Sequence, residues 1–416
     1  MLFLQGMRKL FVGIRRIWGV EDETAPFMAG EKMAEVGSAT NSWLLVEDGH
    51  FTGWGSMNGP IPGADEQLDL DGYEVLPGLV DSHTHLVFAE PRTQEWELRI
   101  KGATYEEIAA AGGGILNSAQ KLRAKDEAEL FDEALLRLER MMAHGTTCVE
   151  IKSGYGLSLE SELKMLRVAR KLGENLAATV KTTFLGAHAI PLEFKGNREA
   201  YIRLIMNEML PAVAEEGLAD HVDVFCDRGF FTPEETIRIL EAAEKRGLPG
   251  KIHANELGIT GGVQAAVKCN AWSADHLEHI GQDEINCLLN SEVIPVGLPG
   301  TSYFLGIPYA PTRQMIDAGL PVALASDFNP GSSPVCSLQM IWSLACTQMK
   351  LLPAEAFYAI TINAARALRL EKQLGSIAVG KQADFFITES SNAIQTIPYF
   401  FGVNHADKTF IAGNRV

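Results

Sequence analysis

The chain has 416 residues, of which 46% are hydrophobic and 21% are charged, as in a folded globular protein rather than a disordered or fibrous one. Its 36 basic and 53 acidic residues leave a formal net charge of −17, which disfavours nucleic acid and anionic membrane surfaces as partners. Six cysteines without a CxxC pair, and no apolar run near the roughly 20 residues of a membrane span, predict a cytoplasmic protein with free thiols.

The two ends of the chain have the composition of a small β-sheet, in which short apolar runs are broken by glycine, aspartate and asparagine. Four candidate strands lie in these ends: Ser42–Val46, Phe51–Gly55, Gly375–Ile387 and Lys408–Ala412. Because pieces of like character flank the rest of the chain, we predict one β-sandwich domain built from residues 1–74 and 371–416.

Between the ends, short β-branched runs alternate about eight times with longer amphipathic stretches, which is typical of a (β/α)8 barrel. We predict this barrel for residues 75–370. The predicted strands are Glu74–Val80, Thr146–Ile151, Thr179–Phe184, His221–Phe225, Gly250–His253, Ser273–His276, Val293–Val296 and Pro321–Ala325. The clearest predicted helices are Glu127–Ala143, Leu159–Lys171, Arg198–Glu215 and Pro233–Arg246. The Ala-Gly-Gly-Gly run at 111–114 is not interpreted as a phosphate loop, because no Lys-Ser/Thr pair closes it.

The strongest local signal is the first barrel strand, which ends in His83-Thr84-His85. In an extended segment, residues i and i+2 point to the same side, so both imidazoles can face one ion. The pattern alone is only moderately specific, because two surface histidines at a strand end would look the same.

Three more polar residues stand near the carboxyl ends of predicted strands: His253, His276 and Asp327. Barrel active sites form on that face, so these residues are expected to converge with the HxH pair. Nitrogen and carboxylate donors without cysteine suit Zn²⁺ or Fe²⁺, and a catalytic site keeps one position for water. We predict that His83, His85, His253 and Asp327 bind one divalent ion, with His276 outside the ligand set and facing the developing oxyanion.

Glu256 follows His253 by three residues, on a loop expected to overhang the ion. A carboxylate there can hold the attacking water or pass a proton to a departing nitrogen, and a solvated loop glutamate is the alternative. A bound divalent ion lowers the pKa of water and polarises a carbonyl, so the predicted chemistry is hydrolysis. The pattern leaves open which of Asp327, Glu256 and His276 is the general base.

Four features together resemble the amidohydrolase superfamily: PGLVDSHTH at 77–85, HANE at 253–256, Asp327 after the last barrel strand, and GSIAVGKQAD at 375–384. The resemblance covers nearly the whole chain. It implies a distorted (β/α)8 barrel with a small β-sandwich formed by both chain ends. Ser82 stands where that family is expected to have proline, and this difference affects no predicted ligand.

Six further segments, in chain order, resemble one branch of the superfamily, which opens a carboxylate-bearing imidazolone ring in histidine degradation. They are LRIKGATY (98–105), AGGGI (111–115), KSGYGL (152–157), TFLGAH (183–188), LPGTS (298–302) and SDFNPGSS (326–333). The resemblance implies hydrolysis of a cyclic amide, with Asp327, Glu256 and His276 as the catalytic residues.

The same resemblance implies that Arg92, Tyr155 and His188 hold the propionate and the ring of the substrate, while Glu256 positions the ring. The chemistry agrees, because a carboxylate needs a fixed cation and arginine offers a two-pronged donor, with phenol and imidazole donors beside it. The alternatives are a surface charge for Arg92, a packing role for Tyr155 and a buried structural histidine for His188.

The residues after Asp327 are also implied to line the substrate pocket: Asn329, Gly331 and Ser332 would contact the ring or the opened product. A Gly-Ser turn that leaves the last barrel strand is compatible with that role.

Some members of the superfamily bridge two metal ions with a carboxylated lysine after strand four. In this chain Lys152 follows strand two and strand four ends in Cys226-Asp227, so one ion per chain is predicted. A ring deaminase, which would share the ligands but not need Arg92, and a binding protein that has lost turnover remain alternatives. The resemblance also implies a homodimer.

Overall fold

Two eight-stranded sheets organise the chain in the computed structural model, which describes residues 6–21, 25–103, 107 and 113–416. Parts of two of the motifs noted above, at 104–105 and 111–112, lie outside these ranges. One sheet is built from the two chain ends and the other is parallel throughout.

The sheet of the chain ends combines five early strands with three late ones. The early strands are β1 (Arg8–Trp18), β2 (Ser38–Glu47), β3 (His50–Ser56), β4 (Glu66–Asp69) and β5 (Glu74–Pro77). The late strands in this sheet, numbered in chain order, are β14 (Phe385–Thr388), β15 (Lys408–Ile411) and β16 (Asn414–Arg415). The strand order is β16-β15-β14-β5-β1-β2-β3, and β4 also pairs with β1. Phe11, Phe51, Phe385 and Phe410 lie in one apolar cluster of this sheet, so the two chain ends share a core.

The parallel sheet contains the strands that lie between them. They are β6 (Leu79–Asp81), β7 (Thr146–Lys152), β8 (Thr179–Ala187), β9 (His221–Cys226), β10 (Gly250–Ala254), β11 (Ser273–His276), β12 (Ile294–Gly297) and β13 (Ala323–Leu324). They pair in sequence order from β6 to β13. The first and last strands meet just beyond their carboxyl ends, where the Asp327 N–H donates to the His83 carbonyl (3.0 Å) and the His85 N–H donates to the Phe328 carbonyl (2.9 Å). The prediction of a (β/α)8 barrel with a separate sheet from both chain ends is confirmed.

The predicted first barrel strand, Glu74–Val80, was wrong as a single element. The structure divides it at Gly78: β5 pairs with β1 and β14 in the sheet of the chain ends, and only β6 enters the barrel. A side chain at Gly78 would place its Cβ 2.1 Å from the Thr147 hydroxyl oxygen, so the chain passes between the two sheets where only glycine fits. The expected domain boundary at residue 75 therefore falls inside β5.

The described ranges contain fifteen α-helices. They are α1 (Thr93–Ile100), α2 (Ile115–Ala124), α3 (Glu127–Ala143), α4 (Leu159–Asn175), α5 (Arg198–Leu204), α6 (Leu210–Glu215), α7 (Pro233–Glu244), α8 (Gly262–Lys268), α9 (Gln282–Leu289), α10 (Pro299–Leu305), α11 (Thr312–Asp317), α12 (Leu338–Thr347), α13 (Pro353–Ala359), α14 (Ile362–Ala367) and α15 (Ala393–Tyr399). The predicted helix Arg198–Glu215 is interrupted by a π-helical turn, Ile205–Met209, between α5 and α6. Within the described ranges, no helix combines the length and the apolar character that crossing a membrane requires.

The sequence of α3 explains its position on the barrel. The Asp126 side chain accepts the N–H of Ala128 and caps the first turn. Leu130, Ala134 and Leu138 recur every fourth residue and are buried, so one apolar stripe of the helix packs on the barrel.

Candidate active site

Three imidazoles converge at the carboxyl end of the barrel. His83 and His85 follow β6, His253 lies in β10, and all three are buried. One ring nitrogen from each lies within 4.8 Å of the other two. His85 Nε2 is 3.4 Å from His253 Nε2, and the Asp327 Oδ1 atom is 3.5 Å from Nε2 of both His83 and His85.

This group of donors fits a divalent metal ion. Two ligands bound at about 2.1 Å with a tetrahedral angle are about 3.4 Å apart. Burial lowers the pKa of His83 and His85 well below the ordinary value, so both rings are neutral and can offer lone pairs. Among the described residues, His83 Nε2 is buried with no hydrogen-bond partner. Three imidazole nitrogens and a carboxylate oxygen therefore lie close together, and His83 Nε2 among them has no hydrogen-bond partner within the described part of the chain.

Buried carboxylates fix the orientation of two of these rings. Asp275 Oδ2 lies 2.6 Å from His83 Nδ1, and Asp223 Oδ2 lies 3.0 Å from His253 Nδ1. The hydrogen bond between His83 Nδ1 and Asp275 holds a proton at Nδ1 and leaves His83 Nε2 as the free donor atom for a metal. Neither aspartate was identified from the sequence. Asp275 directly precedes His276, and Asp223 lies in β9; the only available signal was a polar residue inside a buried strand.

Two buried lysines form ion pairs with Asp223 and with a further buried carboxylate, Glu150. Lys152 Nζ lies 2.8 Å from Asp223 Oδ2 and 2.9 Å from Glu150 Oε2, and Lys251 Nζ lies 3.2 Å from the same Glu150 oxygen. Burial alone would lower the pKa of Lys152, but the carboxylates of Asp223 and Glu150 outweigh it and raise that pKa. Lys152 is therefore a cation in an ion-pair network, which is the opposite of the carboxylated lysine that bridges two metals. His83, Glu150 and Asp275 also form a donor group, but Lys152 and Lys251 already occupy its carboxylates.

The backbone is strained where the site residues leave the strands. Asn255, His276, Leu277 and Asp327 have φ values of 58°, 83°, 67° and 52°, in the left-handed region that non-glycine residues rarely adopt. Such strain persists only where surrounding contacts impose it, and it is concentrated at functional sites. Here it occurs at or just after the carboxyl ends of β10, β11 and β13, close to the site residues His253, His276 and Asp327.

His276 lies between two carboxylates rather than among the metal donors. Its Nε2 is 3.7 Å from Glu256 Oε2 and its Nδ1 is 3.4 Å from Glu278 Oε1. Burial alone would lower its pKa, but Glu256 and Glu278 raise it to about 10. Burial raises the pKa of Glu256 to about 7. Glu256 and His276 thus lie side by side at the site, and Glu278 is a second carboxylate beside His276 that was not identified from the sequence.

A cavity of about 140 Å³ opens above the metal donors and is lined by Arg92, Tyr155 and Glu256 among others. The Arg92 guanidinium lies flat against Gly331, where an added Cβ would come within 2.2 Å of its Cζ. Arg92 Nη2 lies 3.5 Å from the Tyr155 hydroxyl, and its backbone N–H donates to the Pro330 carbonyl (2.8 Å). A fixed cation with a phenol beside it is suited to binding a carboxylate.

His188 presents a hydrogen-bond acceptor, not a donor, to the cavity. Burial lowers its pKa to about 3, so its ring is neutral, and Nδ1 lies 3.0 Å from the Gly154 carbonyl. Because a carbonyl only accepts, Nδ1 carries the hydrogen, and Nε2 is an acceptor. A neutral His188 in this tautomer cannot donate to a carboxylate, but it can accept the N–H of a ring. It stacks on His85 with 5.3 Å between ring centroids.

Asn329, Gly331 and Ser332 lie at the cavity, but the Asn329 amide is used in its own turn. Its Nδ2 donates to the Asp327 carbonyl (2.7 Å) and to the Ser332 hydroxyl (2.8 Å). Its Oδ1 accepts the N–H groups of Gly331 and Ser332, both at 2.8 Å. All donor and acceptor positions of this amide are filled. Asn329 therefore shapes the turn that presents Gly331, and a hydrogen bond from its amide to a substrate would replace one of these bonds.

Comparison with known proteins finds curated relatives that share one name and match nearly the whole chain. The model of the amidohydrolase family matches residues 75–416. Curated relatives named imidazolonepropionase include those of Christiangramia forsetii (46% identical, covering 99% of this chain and 100% of the relative) and Flavobacterium johnsoniae (47%, 98% and 99%). The relative from Geobacillus kaustophilus is 45% identical and covers 99% of this chain and 98% of its own.

Solved structures show the same fold at much lower identity. The Escherichia coli guanine deaminase has a TM-score of 0.74 at 15% identity and covers 98% of both chains. A triazine hydrolase variant has a TM-score of 0.74 at 14% identity and covers 98% of this chain and 94% of its own.

Proposed function

Because the chain belongs to the amidohydrolase family and, within it, to the imidazolonepropionases, we propose that it hydrolyses the cyclic amide of 4-imidazolone-5-propanoate to N-formimidoyl-L-glutamate. This is a step of histidine degradation. In the reaction, water adds to the ring carbonyl carbon, the amide C–N bond breaks, and the carbonyl becomes a second carboxylate.

We assign one divalent ion per chain, Zn²⁺ or Fe²⁺, to His83, His85, His253 and Asp327. The donor set of three imidazole nitrogens and one carboxylate oxygen supports either metal. When bound, such an ion supplies a Lewis acid that lowers the pKa of water and polarises a carbonyl. The network of Lys152 and Lys251 supports a single ion, because their ammonium groups hold the carboxylates that a second ion would need.

The proton transfers are assigned to the carboxylates that face the cavity. Asp327 accepts the proton that the attacking water loses. Glu256 gives a proton to the departing ring nitrogen, and its pKa of about 7 supports this because it retains a proton near neutral pH. His276 is cationic between Glu256 and Glu278, so it can donate to the oxygen on which negative charge develops.

The substrate is held from two sides. Arg92, which is braced against Gly331, and the Tyr155 hydroxyl bind the propionate. His188 accepts the N–H of the ring through Nε2, the acceptor that its bond to Gly154 leaves free. A ring lacking the carboxylate would lose the Arg92 contact, so the site favours a carboxylated imidazolone.

The observation that carries this proposal is the braced Arg92 beside a four-donor metal site in one cavity. Product analysis with freshly generated 4-imidazolone-5-propanoate tests it. We expect one N-formimidoyl-L-glutamate for each imidazolone consumed and no ammonia. Release of ammonia from a ring amine, with the imidazolone left intact, would instead identify the chain as a ring deaminase.

The homodimer and the cytoplasmic location expected from the sequence stay predictions. Gel filtration with light scattering gives the first directly, and a mass of one chain, 45.4 kDa, would contradict it.

A further inference from the structure

Thr301, in the first turn of α10, is fully buried and reaches the candidate metal site. Its hydroxyl donates to Asp327 Oδ2 at 2.5 Å. We propose that Thr301 is a positioning residue, which fixes the Asp327 carboxylate so that its other oxygen meets the metal. This inference rests on the proposed function only in taking Asp327 as a ligand.

The position of the carboxylate is what makes this hydrogen bond important. Asp327 Oδ1 faces the Nε2 atoms of His83 and His85 at 3.5 Å, while Oδ2 points to Thr301. The Asp327 backbone N–H donates a hydrogen bond to the His83 carbonyl, which fixes the backbone. The carboxylate of Asp327 can still rotate about its Cβ–Cγ bond. A hydroxyl bonded to one oxygen stops that rotation and leaves the other oxygen to the metal.

The fold brings Thr301 to Asp327 through a close approach that requires glycine. α10 begins at Pro299, immediately after β12 and Leu298. At the next position, Gly300, an added Cβ would lie 2.5 Å from the Ser333 hydroxyl oxygen and 3.0 Å from the Ser326 carbonyl oxygen. The first turn of α10 therefore rests directly on the segment that carries Asp327. Thr301 belongs to the LPGTS segment, for which the sequence predicted no role.

Removal of the hydroxyl should weaken metal binding with little effect on packing. Hydrogen bonds from a hydroxyl to a carboxylate are short and strong because the acceptor is charged. Loss of a partner that orients a metal ligand typically costs roughly 10- to 100-fold in metal affinity. Thr301→Val keeps the shape and loses the donor, whereas Thr301→Ser keeps the donor.

The test compares the metal-free forms of the wild type and the two variants in a Zn²⁺ competition titration against a chromophoric chelator. We expect Thr301→Val to lose roughly 10- to 100-fold in affinity and Thr301→Ser to stay close to wild type. Thr312→Val is the matched control. Thr312 is also fully buried, but its hydroxyl makes no hydrogen bond among the described residues. It should bind Zn²⁺ as the wild type does.

Steady-state kinetics with saturating Zn²⁺ provide a second readout. Thr301→Val should lower kcat and leave KM for the imidazolone within about twofold, because the propionate contacts of Arg92 and Tyr155 are intact. A purely structural role would lower the melting temperature of all metal-free Thr301 variants without this pattern.

The proposal is overturned if Thr301→Val binds Zn²⁺ within twofold of wild type, or if Thr301→Ser loses as much affinity as Thr301→Val. If Thr301→Val does not fold, the Thr301→Ser titration decides alone: near-wild-type affinity supports the proposal, and a tenfold loss overturns it. Failure of the proposed function is a separate result. If the wild type binds Zn²⁺ but does not hydrolyse the imidazolone, the Zn²⁺ affinities of the wild type and the variants can still be compared.

Discussion

The substitution Gly331→Ala tests whether Arg92 binds the carboxylate of the substrate. The added Cβ would lie 2.2 Å from Arg92 Cζ and 2.3 Å from Arg92 Nε. Ordinary contact begins near 3.4 Å, so the guanidinium must retreat by about 1.2 Å, the difference between 2.2 Å and 3.4 Å. Gly331 does not have a positive φ, so alanine fits its backbone conformation. The effect of the substitution therefore comes from the displacement of Arg92.

The size of the effect follows from the contact that is lost. A hydrogen bond to a charged group contributes about 1.5–3 kcal/mol. Since about 1.4 kcal/mol is a factor of ten, KM for 4-imidazolone-5-propanoate should rise roughly 10- to 150-fold. We expect a much smaller rise for an imidazolone that lacks the propionate, and little further effect of Gly331→Ala in an Arg92→Ala background.

The assay is steady-state loss of imidazolone absorbance, with thermal unfolding measured alongside. Gly63→Ala is the control, because Gly63 is exposed and has open space around its Cβ position. If KM of Gly331→Ala stays within twofold of wild type while the fold is intact, Arg92 does not hold the substrate carboxylate and the reasoning is wrong.

Three further changes have expected results. Tyr155→Phe removes the hydroxyl 3.5 Å from Arg92 and should raise KM about 2- to 10-fold in the same steady-state assay with kcat unchanged; a loss confined to kcat would contradict this. Asp275→Asn removes the negative charge at His83 Nδ1, so chelator competition should show roughly a 10- to 100-fold loss of metal affinity. A metal affinity equal to that of the wild type would show that the aspartate does not orient the ring. Burial raises the pKa of Asp384 to about 6 in the folded protein, whereas an unfolded aspartate has a pKa of about 3.9. The folded state therefore favours the protonated carboxyl group. The contribution of this group to stability is complete below about pH 4 and is lost as the pH rises through about 6. The free energy of unfolding of Asp384→Asn in urea should therefore rise relative to wild type by about 1 kcal/mol between pH 5 and pH 7, and a constant difference would refute the shift.

The metal donors were predictable from sequence because short-range geometry governs them. His83 and His85 share one side of an extended segment, and His253 and Asp327 stand at the carboxyl ends of other strands, which meet at one face of a barrel. The structure brings these four side chains together. Their assignment as ligands stays a prediction for the metal titrations above.

The supporting contacts could not be predicted, since they depend on which strands and turns meet. Asp223 reaches His253 and Asp275 reaches His83 across neighbouring or opposite strands. Thr301 meets Asp327 because Gly300 allows a close approach. The division of one β-branched run at Gly78 is likewise decided by the Thr147 side chain from another strand.

His188 shows what the sequence leaves open about a predicted site residue. Sequence gives the residue type, but the tautomer depends on the Gly154 carbonyl that faces Nδ1. The same argument applies to Asn329, whose amide is occupied by the turn that it begins.

Metal reconstitution tests the central claim most directly. The metal-free wild type is titrated with Zn²⁺ or Fe²⁺ while the hydrolysis of 4-imidazolone-5-propanoate is followed, beside His253→Ala and the control His50→Ala, which changes an exposed histidine in β3. We expect activity to reach its maximum at one ion per chain in the wild type and in His50→Ala, and to be absent in His253→Ala. Full activity in the metal-free protein, or undiminished activity in His253→Ala, would contradict the account.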